Sequence, residues 1–393
     1  MIIICGAGII GLSIAKELVT QGFNGKEIII FEKEKEVGAH ASGRNSGVLH
    51  AGIYYTPDSL KAKFCLKGNF LMREYCKEKG LKLLECGKVI VCRKEKDLPI
   101  LYELYRRASF NGAKVEILDE KELKEIEPYA KTIEKALWSP YTAVIDPLEI
   151  LISLKKDLEK HKVKILTNTK VLNIKGFNQI VTNNGIFNFD LFINCAGSYA
   201  DKIAHKFNVG LNYAIVPFKG LYKKLKKEKS YLVKGNIYPV PNIKNPFLGV
   251  HFTKSVNGDV YVGPTATPAF GRENYSLLKG IDKEIFQIMF TQSKLLIFNK
   301  DVRKAALSEI KKYLNKYFFN EIKNMVEGLK IYDLEKCNKV GIRPQLINIK
   351  TKKLITDFLI IKRENTLHIL NTISPGFTSA FAFAKYVVDS YVK

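Results

Sequence analysis

The sequence is marked first by what it lacks. Nowhere do about 18 apolar residues follow one another without a charge, which excludes a membrane-spanning helix. The seven cysteines (Cys5, Cys65, Cys76, Cys86, Cys92, Cys195 and Cys337) are odd in number and form no C-x-x-C pair. That pattern argues against a disulfide framework or a metal site, and it fits a reducing cytoplasmic setting. No unit of roughly 20–50 residues recurs, so a solenoid is excluded. No proline- or serine-rich linker divides the chain, so any domains should be interleaved. Arginine is scarce, supplying nine of the 63 basic residues. A glycine loop starts at Gly6, and no signal or transit peptide is expected ahead of it.

What is present supports a large folded protein. With 393 residues, 46% of them hydrophobic, the chain can bury an extensive core divided over about two domains. The net charge of +24 comes mostly from lysines spread over most segments, which reads as a solvated surface. The dense run is Lys219–Lys229 (KGLYKKLKKEK), suited to peripheral contact with anionic headgroups on the inner face of a membrane. No recognition motif accompanies the charge, so nucleic acid is not an expected partner.

Periodicity outlines the elements. Ile2–Cys5 is a buried strand, and apolar residues then recur at helical spacing (Ile10, Ile14, Ala15, Leu18) until Gly22 ends the pattern. Residues 27–32 form a second strand, completing a β-α-β unit of about thirty residues. Helices are expected at 66–80, 98–111 and 120–126, with a strand at 88–92. Asp146-Pro147 opens an amphipathic helix through Lys160, with aspartate as cap and proline in the first turn. Strands follow at 162–166, 179–182 and 191–195, with a turn at Asn183-Asn184-Gly185. Extended alternating segments from 213 to 265 predict an antiparallel sheet. Helices at 276–328, strands at 354–362 and 367–370, and a last helix from Gly376 complete the chain.

Gly6-x-Gly8-x-x-Gly11 lies between a strand and a helix, where a dinucleotide fingerprint belongs. Gly6 permits the tight turn, Gly8 lets a pyrophosphate approach the backbone, and Gly11 lets helix and strand pack closely. The helix N-terminus then faces phosphate charge. Glu32 ends the second strand, 21 residues after Gly11, placed to accept bonds from ribose hydroxyls. The fingerprint alone leaves FAD and NAD open. Two features lean to FAD: a second loop of small residues, GAHASGRNSGVLHAGIYY at 38–55, and Ser374-Pro375-Gly376-Phe377-Thr378 before the final helix, whose dipole can stabilise an anionic reduced flavin.

Several segments carry a family likeness. GRNSGVLHAGIYYTPDSLKAKFC (43–65), YPVPN (238–242), PFLGVHFT (246–253) and VGPTATPAFGRENY (262–275) resemble the L-2-hydroxyglutarate oxidase/dehydrogenase family, within the D-amino-acid-oxidase-like flavoproteins. NCAGSYAD (194–201) and GIRPQ (341–345) are similar to motifs of the wider group. The chain departs from the family pattern at Ala41, Thr56, Thr265 and Gly271, near the substrate end. The resemblance implies an α/β and α+β fold: a Rossmann-type FAD-binding domain (1–85, 145–212 and 335–393) interleaved with an antiparallel-sheet substrate domain (86–144 and 213–334). It implies FAD held by Gly6, Gly8, Gly11, Glu32, Lys33, Ser42, Arg44, Asn45, Ser46, Gly47, Val171, Ala196, Gly197, Gly341, Pro375, Gly376, Phe377 and Thr378.

Oxidising a 2-hydroxy acid moves a hydride to flavin N5 while a base takes the hydroxyl proton. Histidine suits the base, and six are present. His161 and His205 sit in polar helical context, and His368 alternates within a strand. His50 and His251 lie in the family-like motifs, with His251 the expected base and His50 beside the flavin; His40 is a weaker candidate. Arg343 in GIRPQ is the expected carboxylate clamp, since a guanidinium binds carboxylate bidentately where lysine does not. Tyr54, Tyr55, Lys61, Arg272 and Tyr275 are candidates for a second carboxylate. The expected reaction is oxidation of L-2-hydroxyglutarate or a close 2-hydroxy acid to the 2-oxo acid. The expected electron acceptor is a quinone or oxygen. The alternative is a glycerol 3-phosphate or amino acid oxidation on the same fold.

Overall fold

The computed structural model describes residues 1–242, 248–276 and 279–393. Its first sheet has six strands in the spatial order Leu359–Arg363, Thr366–Asn371, Leu191–Asn194, β1 (Ile2–Cys5), β2 (Ile28–Phe31) and Lys164–Leu166. All neighbours run parallel except the outermost strand, 359–363, which is antiparallel. β1 and β2 are buried throughout, as strands covered on both faces must be. The covering helices include α1 (Ile9–Thr20), the helix Pro147–Lys160 and the final helix Gly376–Val387. Asp146 caps Pro147–Lys160 by accepting from the amides of Leu148 and Glu149.

α2 (Leu60–Lys79) starts well before the expected residue 66. Ser59 caps it locally, while Asp357, distant in sequence, accepts from the amides of Leu60 and Lys61. A cap supplied across the fold leaves no local trace. Gly68, inside this helix, permits close approach to the final helix: a Cβ there would stand 2.3 Å from the Thr378 carbonyl oxygen.

The second sheet is larger. Its order is 353–354, Leu334–Asn348, Tyr213–Leu225, Val260–Gly263, His251–Lys254, Asn236–Pro239, Lys88–Val91, Ala136–Ser139 and Glu116–Leu118, with Thr267–Pro268 joined to 213–225. The pairings are antiparallel except 236–239 with 88–91. The strand Leu334–Asn348 is unforeseen by pattern and lies here, although residues 335–393 were expected with the first sheet. It pairs with 213–225 from Tyr213–Asn348 to Leu225–Leu334, and Pro217 stands opposite Pro344. Neither proline can donate to the ladder, so this stretch carries no ordinary strand signal. Helices Ile285–Phe298, Lys300–Lys311 and Asn315–Ile322 lie in the chain between the strands Thr267–Pro268 and Leu334–Asn348 of this sheet. Among the described residues, no helix is long and apolar enough to cross a membrane.

Candidate active site

Both sheets contribute to one cavity of about 760 Å³. At one end lies the glycine loop. Gly6 has φ +110°, and a Cβ there would sit 2.5 Å from the Cys195 carbonyl. A Cβ on Gly11 would fall 2.0 Å from the Gly6 carbonyl, so strand and helix meet only because glycine is present. Gly8 has no capping side chain of its own; Ser42 reaches across and accepts from the Ile9 amide. The buried Glu32 carboxylate accepts from the amides of Ala7 and Glu34, both at 3.0 Å, which fixes it against the loop.

Of the expected cofactor residues, all line the cavity except Gly11 and Gly47, which stand behind it. Gly47 instead makes a backbone bond with Ile145. Lys33 is tied to Glu34, Glu273 and His40. Those four form one polar knot with Tyr199 and Tyr275. The lysine ammonium sits among the two carboxylates and the imidazole.

His50, His251 and Arg343 line the other end of the same cavity. The motif 246–253 begins at residues outside the described set, but Leu248 to Thr253 are described. His251 Nδ1 lies 2.8 Å from the Gly249 carbonyl oxygen. A carbonyl only accepts, so Nδ1 carries the proton and Nε2 is left with its lone pair. The imidazole stacks on Tyr238, with centroids 3.7 Å apart. His50 is placed by its backbone: its amide donates to Thr378 Oγ1, and its carbonyl accepts from Asn69 and Cys65. Burial, reinforced by Lys88, pulls both imidazoles down to about 3, so both are neutral near neutral pH.

Positive charge gathers at this end. Burial lowers the Arg343 guanidinium to about 10, opposed by neighbouring Tyr55. The Lys61 ammonium is lowered to about 7, first by burial and then by Arg343. Its carboxylate neighbour, Asp357, is already bonded to the first amides of α2. Lys88 is likewise lowered to about 7 by burial. An arrangement of buried and half-buried cations beside neutral imidazoles suits an acidic ligand that must also lose a proton.

The sequence comparison decides the family. The profile described as FAD dependent oxidoreductase matches residues 1–390. The chain belongs to that family. This flavoenzyme is 34% identical to the mitochondrial L-2-hydroxyglutarate dehydrogenase of Bos taurus, over 99% of its own length and 88% of the relative's. It is 34% identical to the L-2-hydroxyglutarate dehydrogenase of Indibacter alkaliphilus, over all of its length and 98% of the relative's. Among solved structures it resembles FAD-bound L-alpha-glycerophosphate oxidase from Mycoplasma pneumoniae (TM-score 0.77, 24% identity, 98% of this chain and 93% of that one). Glycine oxidase from Geobacillus kaustophilus is also similar (TM-score 0.73, 18% identity, 99% and 93%). Those likenesses establish the D-amino-acid-oxidase-like fold. FAD is the cofactor, and the residues present fit it: the cavity has ligand size, its glycine walls admit no side chain, and the α1 N-terminus opens onto it.

The remaining expected residues are scattered. Tyr54, Tyr55 and Lys61 are not cavity-lining, and they stand behind the flavoenzyme's cationic end. Arg272 is placed elsewhere: its guanidinium is committed to Asp201, Glu284 and the Ser198 carbonyl. Tyr275 bonds His40 and lies under the Arg44 guanidinium, 4.1 Å from ring centroid to Cζ. Half of the lysines in the basic run 219–229 are engaged within the fold, while Lys226, Lys227 and Lys229 are exposed or half-exposed. Lys219 is buried and donates to the Ser276 carbonyl, Lys223 bonds Asn315, and Lys224 pairs with Asp259. Two residues escaped sequence reading: Tyr238, visible only as part of YPVPN, and Lys88, which opens a strand buried on every residue.

Proposed function

We propose that the flavoenzyme oxidises L-2-hydroxyglutarate, or a close 2-hydroxy dicarboxylate, to the 2-oxo acid. The observation that carries this reading is the half-buried Arg343 with the buried Lys61 and Lys88, close to two neutral imidazoles. Its dehydrogenase relatives support the same substrate. Bound FAD supplies the hydride acceptor. Gly6, Gly8 and the α1 N-terminus hold the pyrophosphate, Glu32 the ribose, and Gly376 to Thr378 the flavin end. Arg343 takes the α-carboxylate, and Lys61 with Tyr55 supports it from behind. His251 accepts the hydroxyl proton at Nε2, and His50 flanks the ring.

For the electron acceptor we propose a quinone, reached from a membrane surface inside a reducing compartment. The helix Ile285–Phe298 favours such a contact, exposing Phe286, Phe290, Ile297 and Phe298 beside Lys294. Rapid oxidation of the reduced enzyme by oxygen, with no response to quinones, would reject this acceptor.

The substrate test is anaerobic mixing of the oxidised holoenzyme with single compounds while the flavin absorbance is followed. L-2-hydroxyglutarate should bleach it; the D-enantiomer, glycerol 3-phosphate and glycine should not. Bleaching by glycine or glycerol 3-phosphate, with none by L-2-hydroxyglutarate, would refute the substrate.

A further inference from the structure

Lys88 opens the strand Lys88–Val91, and its side chain is 0% exposed. Its Nζ has no hydrogen-bond partner among the described residues. It stands instead over two aromatic faces, 4.6 Å from the Tyr54 centroid and 4.9 Å from that of Tyr238. The Tyr238 ring is the one stacked on His251. Lys88, Tyr238 and His251 therefore form a short column that ends at the cavity wall, while Lys88 itself lies behind that wall. His50, also in the wall, has an Nδ1 with no hydrogen-bond partner among the described residues.

Burying an ammonium without a carboxylate is unfavourable, and cation–π contacts recover only part of the loss. A methionine would fill the same length without a charge to bury. The ammonium therefore contributes a field, not stability. We propose that Lys88 is a positioning residue, whose charge adds to burial in holding the second proton off His50 and His251 until the acidic substrate enters. This rests on the proton-acceptor role given above to His251.

Burial is the larger influence on both imidazoles and His251 adds to it at His50; among the described residues, Lys88 is the charge that acts on both rings. At His50, Cys65 and Asn69 approach from α2 and Thr378 from the final helix, all uncharged near neutral pH. At His251, the neighbours are Tyr238 and the Gly249 carbonyl, with Tyr54 on the far side of Lys88. Both tyrosines stay protonated because they are buried. Arg343 and Lys61 bear on Tyr55 and on each other.

With FAD bound, the cofactor would accept the substrate Cα hydrogen as hydride. The O–H proton passes to His251 Nε2, and the carbon becomes a carbonyl. Before binding, the Lys88 field disfavours a solvent proton on either ring. Once a dicarboxylate lies in the site, its charge offsets that field, and the imidazole becomes basic where and when it is needed.

The test uses the full FAD-loaded enzyme with Lys88→Met and Lys88→Arg. Two pH profiles are taken: imidazole nitrogen NMR without substrate, and anaerobic flavin reduction by L-2-hydroxyglutarate. Lys88→Met should move the imidazole midpoints and the acid limb of the reduction rate up by about one pH unit, a tenfold change in proton affinity. Lys88→Arg should leave both close to the parent. Unchanged midpoints in Lys88→Met would overturn the proposal, whatever the substrate proves to be. A shift as large in Lys88→Arg would also overturn it, because shape and not charge would then be at work. A shift in NMR without one in the reduction rate would remove the catalytic role. Failure of L-2-hydroxyglutarate to reduce any variant would instead refute the substrate, with the NMR result still standing for Lys88.

Discussion

Replacing Gly68 with alanine puts a methyl carbon 2.3 Å from the Thr378 carbonyl oxygen and 2.7 Å from the Ser379 Cα. Both neighbours are backbone, so no side chain can swing aside. Ordinary contact begins near 3.4 Å, and α2 must withdraw from the final helix by about 1 Å. Overpacking of this kind costs about 1–3 kcal/mol. Alanine recovers part of this, because glycine inside a helix is worse by about 1 kcal/mol. The net expectation is a loss of up to about 2 kcal/mol. The displacement falls on Thr378, whose hydroxyl accepts from the His50 amide and donates to the Val48 carbonyl. The flavin end should therefore loosen as well, with FAD released about tenfold more readily. Thermal unfolding followed by flavin fluorescence, together with cofactor dialysis, measures both. A Gly68→Ala protein that melts at or above the parent temperature and retains its flavin would refute the packing argument.

Other perturbations discriminate between roles. Arg343→Met should raise KM for the hydroxy acid by at least about thirtyfold, as expected when one partner of a buried charge pair is lost, while FAD stays bound; an unchanged KM would remove the clamp. Arg272→Met should act on stability, not on substrate affinity: it strands the buried Asp201 carboxylate, at a cost of about 3–5 kcal/mol, and denaturant titration reads it. His50, His251 and His368 are held at about 3, 3 and 4 by burial, below the usual histidine value. The unfolded chain therefore binds protons that the folded one refuses. Stability is full above about pH 6.5 and falls on acidification by about 1.4 kcal/mol per pH unit for each histidine, until the folded values are reached. His368→Gln should make that fall shallower in melts between pH 6.5 and 4.5, and an identical slope would count against it.

Local signals account for what the sequence made legible. The glycine fingerprint, the Asp146-Pro147 cap and the alternation after residue 213 each act within a few residues, and the corresponding elements form close to their expected bounds. The misses are long-range. The start of α2 depends on Asp357, and the strand 334–348 is held by pairing with 213–225 despite its lysines and proline. Lys88 resembles a surface residue until the sheet places strands on both sides of it. Arg272 was read by its charge alone, whereas its partners, Asp201 and Glu284, lie outside its own motif.

The order of strands in the first sheet has a consequence for biosynthesis. β1 leaves the ribosome well before its partners, since one of its two neighbours is 191–194, and that strand in turn pairs with 366–371. The cavity wall closes only with Pro375 to Thr378, close to the end of the chain. Cofactor loading thus waits until synthesis has passed Thr378. A chain cut short by its last twenty residues would keep the whole glycine fingerprint and still be unable to hold the flavin.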